Sequence, residues 1–147
     1  MQCQFTKLCE YLEPVLEKLQ SVSLPFLRLI LAYGFYEPAK NKWADINSVA
    51  EWFGSMGIPL PTLNAYMAAS TEALGVLLLT LGFATRLISL PLIVVMIVAI
   101  VTVHLGNGFS AGDNGFEIPL YYMLMLLVLV AHGAGKFSVD HFLYKDK

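Results

Sequence analysis

Two ionisable residues lie inside long apolar stretches of this chain. Arg28 falls within the run 22–36 and Glu72 within the run 63–83. A charge inside hydrocarbon is costly and marks a functional position by default. At about 1.5 Å per residue, Arg28 sits roughly 9 Å from the start of its run and Glu72 roughly 15 Å from the start of its own. An arginine can close a gap of several ångströms, so the two are expected to form a buried ion pair. Such a pair either fixes helix register or serves proton- or quinone-linked chemistry. Glu72 shares a helical face with Ala65, Ala68 and Gly75. Small residues let helices approach closely, so this face is expected to point into a bundle.

A second group gathers where apolar runs begin and end. Glu37 follows the first run, His104 closes the third, Glu117 opens the fourth, and Tyr121 lies one turn beyond Glu117. Buried without partners such groups are expensive, so they are expected to turn inward and line one outer pocket. Carboxylate, imidazole and phenol together suit a quinone headgroup or a metal ion. Met96 and Met125 carry thioethers, which favour Cu(I), but no metal-ligand set is assigned. Cys3 and Cys9, on the N-terminal arm, match no metal or redox spacing. There is no CxxC, no histidine pair one turn apart, no glycine-rich phosphate loop and no serine nucleophile motif. No cofactor is encoded in recognisable form. A redox role would draw its electrons from a quinone or a partner subunit.

The elements that must position these groups are written in the hydropathy. Of 147 residues, 57% are hydrophobic and 14% charged, where soluble domains carry about 25% charged residues. The mean hydropathy is +0.66. This composition excludes a disordered chain, a nucleic-acid binder and most soluble enzymes. A membrane span needs about 20 mainly apolar residues. Four stretches qualify: 22–36, 63–83, the charge-free 87–103, and 118–131 extended to 117–133. The expected fold is therefore all-α, a four-transmembrane-helix bundle. Residues 5–20 place Phe5, Leu8, Leu12, Val15, Leu16 and Leu19 near one face, an amphipathic helix that Pro14 interrupts. Residues 1–21 thus read as an N-terminal arm and 22–147 as the membrane domain.

Local punctuation fits these elements. Prolines 59 and 61 precede the second span, where a helix start tolerates them. Thr85 is expected to cap the third span. Asn114 and Glu117 resemble a capping box for the fourth, and Gly133 and Gly135 stop it. Ser138 caps a short C-terminal helix, SVDHFLY. The outer loop 37–61 is expected to hold a short interfacial helix, NSVAEWFGSMG, with Trp43, Trp52 and Phe53 as anchors. Lys7, Lys18, Arg86, Lys136, Lys145 and Lys147 fall on one side of a four-span topology, and Lys40 and Lys42 on the other. The basic excess puts both termini in the cytoplasm. The expected location is a bacterial inner membrane.

Several of these segments together resemble a known family. Glu72-x-x-Gly75, Gly82, Thr85-Arg86, the tail GAGKFSVD at 133–140 and GFYEPAKNKW after the first span resemble the DoxX family of small bacterial membrane proteins. VHLGNGF and GFEIPLYY are similar to the DoxX-like branch encoded beside copper-responsive modified-peptide precursors. The resemblance runs over residues 22–143; Ala39 stands where relatives often have glycine. It implies a membrane-bound helical bundle. Some members are linked to quinone-coupled oxidation of sulfur compounds or to membrane complexes that handle oxidative stress. It carries over no catalytic residue. Two functions follow as expectations: a membrane subunit of a quinone-linked oxidoreductase system, or a non-enzymatic membrane component that binds, docks or exports a small partner such as a metal-binding peptide. The lipid bilayer is the expected partner, and self-association is compatible with either.

Overall fold

The apolar runs become helices in the computed structural model, which describes residues 2–144 and, of their side chains, those from residue 12 onward except 17 and 144. Helix α1 spans Gln2–Ala44, α2 Ile46–Ser55, α3 Pro61–Leu81, α4 Thr85–Ala99, α5 Glu117–His132 and α6 Val139–Tyr144. Between α4 and α5 lie a π-helical turn, Ile100–His104, and two short 3-10 turns, Leu105–Asn107 and Ala111–Asp113.

Helix α1 departs from expectation at both ends. It runs unbroken through Pro14, Pro25 and Pro38, joining the arm to the first apolar run and continuing to Ala44. A proline removes one backbone bond and costs about 3 kcal/mol in a helix interior. The intact bonds on either side keep the helical path. Cys3, Cys9, Phe5 and Leu8, together with the basic side chains of Lys7, Lys145 and Lys147, lie outside the described side chains.

The loop helix forms as expected, with a cap that the spacing of apolar residues does not reveal. Asp45 accepts from the Ser48 amide at 3.1 Å and from its hydroxyl at 2.6 Å. These bonds, the side-chain one foremost, hold the Asp45 carboxyl below the usual carboxylate range. A depressed folded-state value means the cap's contribution is fully present above the ordinary aspartate value, about 3.9. It is lost as pH falls through the folded value. Hydrogen exchange at the Ser48 amide should therefore show steady local stability from neutral pH to about pH 5, weakening only below about 4. Asp45→Asn should flatten that dependence.

Helix α3 starts with Pro61 in its first turn and ends on Gly82, which adopts φ 68°. Glycine reaches that left-handed conformation without a Cβ penalty. Lys42 with Glu72, Trp43 with Ala69 and Arg28 beside Gly82 pair rising positions of α1 with falling positions of α3, so the two helices are antiparallel. Helix α4 packs on α5 and on α3, and α2 lies against α3. Leu31, Phe35, Leu79, Leu92, Leu126 and Leu129 are fully enclosed and form the main core. Gly75 admits this packing, since a Cβ there would stand 2.8 Å from Leu92 Cδ1. Ala50, Phe53 and Ala65 form a second, smaller cluster under α2.

One continuous stretch among the described residues, Thr85–Asn107, is long and apolar enough to cross a membrane, with a mean hydropathy of 2.7 over its most apolar window. Only 22% of its most apolar window is buried, whereas the core helix of a soluble protein is mostly enclosed. Helix α5 is equally apolar in character but has 16 residues. Helices α1 and α3 have the length, yet charged and polar residues such as Lys18, Arg28, Glu72 and Thr80 dilute their apolar character. The expectation of an all-helical chain is met; of its four spans, the third stands clearly by length and composition.

Candidate functional site

The polar groups of the interior form two centres, and neither is the expected Arg28–Glu72 pair. Glu72 is 2% exposed on α3. Its carboxylate is held by Lys42, whose Nζ lies 2.9 Å from Oε1 and 2.8 Å from Oε2. Lys42 belongs to the last turn of α1, where a cation is favoured by the exposed carbonyl end of the helix. Its side chain is 19% exposed, with the ammonium held on the enclosed carboxylate. Beside it, Trp43 Nε1 donates to the Ala69 carbonyl at 3.2 Å, and the Trp43 and Tyr66 rings meet edge-on at 5.9 Å.

Arg28 lies elsewhere. Along α1 it is about 21 Å from the level of Lys42 at 1.5 Å per residue. There it faces the Gly82 turn rather than the middle of α3. Its Nη2 donates to the Phe137 carbonyl at 2.7 Å, and Asp140 acts on its charge electrostatically without forming an ion pair with it. Nε and Nη1 are buried without a hydrogen-bond partner. A Cβ on Gly82 would collide with the Arg28 guanidinium, so glycine at this turn serves both the left-handed conformation and the room for arginine.

Asp140 organises this second centre. Its Oδ1 accepts from the Ala84 amide at 2.8 Å and its Oδ2 from the Thr85 amide at 3.0 Å, while its own amide donates to the Gly82 carbonyl at 3.0 Å. Thr85 was the expected cap of α4. Instead it is the first helical residue, its hydroxyl is buried and unpartnered, and a carboxylate from α6 caps the helix. Ser138 does cap α6, accepting from the His141 amide at 3.1 Å.

The outer group is brought together in part. Tyr121 donates to Glu117 Oε1 at 3.1 Å, and Glu117 Oε2 accepts from the Ala111 amide at 2.9 Å. The capping box is therefore replaced: Asn114 turns left-handed with φ 59°, and Glu117 pins the preceding loop rather than the Asn114 amide. His104 Nδ1 lies 2.8 Å from the Asn114 carbonyl, so His104 and Glu117 fasten the same loop from its two sides. Phe109 packs edge-on against Phe116 and Tyr121. Glu37 is exposed on α1 and joins none of these bonds. Among the described residues no group of three or more His, Cys, Asp or Glu is arranged to hold a metal ion.

Lys42 and Asp140 organise the two centres, and sequence reasoning missed both. Lys42 sits in a segment that reads as loop when the first span is ended near residue 36. The available signal was its place beside Trp43, with helical residues continuing around it. Asp140 acts on residues 55 and 56 positions away, and nothing in its neighbourhood announces that.

Residues 23–105 match the DoxX family, more than half of the chain. Two Haemophilus influenzae proteins without assigned function are similar to it. One is 36% identical over 128 residues, covering 84% of this chain and 85% of the relative. The other is 34% identical over 134 residues, covering 88% and 97%. A Bacillus subtilis protein named "Putative oxidoreductase CatD" is 31% identical over 122 residues, covering 82% and 87%. No solved structure matches the chain. The match includes both polar centres' α1 and α3 contributions and the Gly82 turn, and the relatives are covered nearly end to end: the chain belongs to the DoxX family of membrane proteins.

Proposed function

We propose that the chain is a four-span inner-membrane protein with both termini in the cytoplasm, acting as the membrane subunit of a quinone-linked oxidoreductase system. The buried Lys42–Glu72 pair carries this reading. An ammonium has three donors, and Lys42 spends two on the Glu72 carboxylate. The third is left for an outside acceptor such as a quinone carbonyl oxygen. Trp43 and Tyr66 supply flat apolar walls beside it, so the residues present fit a quinone ring. A bound quinone would take up two protons together with two electrons delivered by a partner redox subunit. Lys42 would orient its carbonyl, and Glu72 would hold a proton out of contact with bulk water. The oxidoreductase name borne by the Bacillus subtilis relative points the same way.

The experiment is direct. Protein purified in mild detergent should carry a quinone in its lipid extract, and Trp43→Ala, which removes a wall without touching the ion pair, should lose most of it. Protein free of quinone at every detergent concentration would overturn the reading.

A second reading, a non-enzymatic component that docks a small metal-binding peptide, is favoured by the pinned rim loop. Phe109 there is 49% exposed although its loop is tied down by His104 and Glu117. That rim includes the VHLGNGF and GFEIPLYY segments similar to the copper-responsive branch.

A further inference from the structure

At the end of the bundle opposite the rim loop lies a cavity of about 830 Å³ between the middle of α1, the α3–α4 turn and the segment linking α5 to α6. Among the ionisable residues of its wall, Arg86 and Lys136 are cations and His132 and His141 carry imidazoles. Asp140 is the one acid in that lining. Both its carboxylate oxygens are taken by the Ala84 and Thr85 amides. The cavity therefore holds an excess of positive charge in a chain whose net charge is −2.

The donors are available. Arg86 spends one N–H on the Ala131 carbonyl at 3.2 Å, out of five. Its guanidinium lies over Gly133, where a Cβ would stand 3.2 Å from Nε. Lys136 is exposed and makes no hydrogen bond among the described residues. His132 engages the Val128 carbonyl through Nδ1, which leaves Nε2 for another partner.

The surroundings select the kind of anion. Arg86 stands in the first turn of Thr85–Asn107, the membrane-length apolar stretch. The cavity is thus level with one end of the hydrocarbon, where lipid headgroups lie. Leu87, at 71% exposure, opens apolar surface directly from its lip. A soluble phosphate would leave that surface bare, whereas a lipid carries its own hydrocarbon to cover it. Basic pockets between membrane helices recognise anionic headgroups by this combination.

We propose that this cavity binds the phosphodiester headgroup of an anionic membrane lipid, with Arg86 and Lys136 as its principal contacts. The proposal requires the chain to lie in a membrane but is independent of quinone binding, which concerns the opposite end of α1.

Native mass spectrometry of the full chain, released from detergent containing phosphatidylglycerol or phosphatidylcholine, tests it. Phosphatidylglycerol should stay bound and phosphatidylcholine should not. Each basic side chain near an anionic headgroup contributes roughly fivefold in affinity. Arg86→Gln with Lys136→Gln should therefore weaken retention about 25-fold. Lys40→Gln, an exposed charge at the other end of α1, should leave it unchanged. Should the double variant fail to fold, Lys136→Glu alone carries the test, because that side chain supports no contact. Equal retention of both lipids, an equal loss in Lys40→Gln, or unchanged retention in the folded Lys136 variant would overturn the site. Displacement of the lipid by inorganic phosphate alone would overturn the lipid assignment in favour of a free anion.

Discussion

Glu72→Gln should destabilise the protein by about 3–5 kcal/mol in detergent, the usual consequence of stranding one member of a buried pair. The Lys42 side chain is 19% exposed and that of Glu72 only 3%, so the stranded ammonium can partly turn outward. The loss should therefore fall toward the lower end of that range. Lys42→Met should cost more than Glu72→Gln, because the carboxylate left behind has no route to water except by taking up a proton. Combining Lys42→Met with Glu72→Leu should recover most of the loss, since apolar groups of similar volume replace a buried ion pair at little net cost. Thermal unfolding of the variants measures all three. Arg28→Met supplies the decisive contrast. Arg28 and Glu72 share no partner, and distant sites add within about 0.5 kcal/mol. Arg28→Met with Glu72→Gln should thus be additive. Mutual rescue between those two would mean that they pair after all.

Asp140→Ala should be about as damaging as breaking the Lys42–Glu72 pair. It removes two bonds from backbone amides to a carboxylate, each worth about 1.5–3 kcal/mol. It also removes a negative charge near Arg28, two of whose nitrogens already lack hydrogen-bond partners. A total of about 3–5 kcal/mol is expected, because the losses share one network and do not sum fully. Asp140→Asn retains one acceptor oxygen and should cost about half as much. The α6 segment reaches the bundle through the same residue, whose amide binds the Gly82 carbonyl. Limited proteolysis should therefore cut Asp140→Ala near residues 133–138 while the wild type resists. Wild-type resistance and melting temperature in Asp140→Ala would show that α6 does not hold the α3–α4 turn.

The two centres divide the molecule. Lys42 and Glu72 lie toward the α2 end, where half-exposed aromatic rings gather. Arg28 and Asp140 lie at the α3–α4 turn and hold α6 against the bundle. A charge network that ties helix ends together can be structural. A carboxylate enclosed at the middle of α3 is instead met by a partly exposed lysine.

From its residues alone, this chain declares helices and their ends. Continuous apolar runs mark α3 and α5, Gly82 and Gly133 stop their helices, and Ser138 starts α6. Ala65 and Gly75 mark the face that packs, and the same face carries Glu72 inward. The DoxX resemblance is legible in the same segments. These features depend on contacts within a turn or two, so local spacing determines them. Partner choice does not depend on local spacing. It follows from how far one helix is displaced along another, and that offset was set by α1 continuing to Ala44 past Pro38. The extension carries Lys42 to Glu72 and leaves Arg28 at the Gly82 turn. Likewise Asn114 and Glu117 have the spacing of a capping box, but the folded loop brings the Ala111 amide to the carboxylate. Only the assembled bundle fixes such offsets, because they balance core packing against the burial of every charge at once.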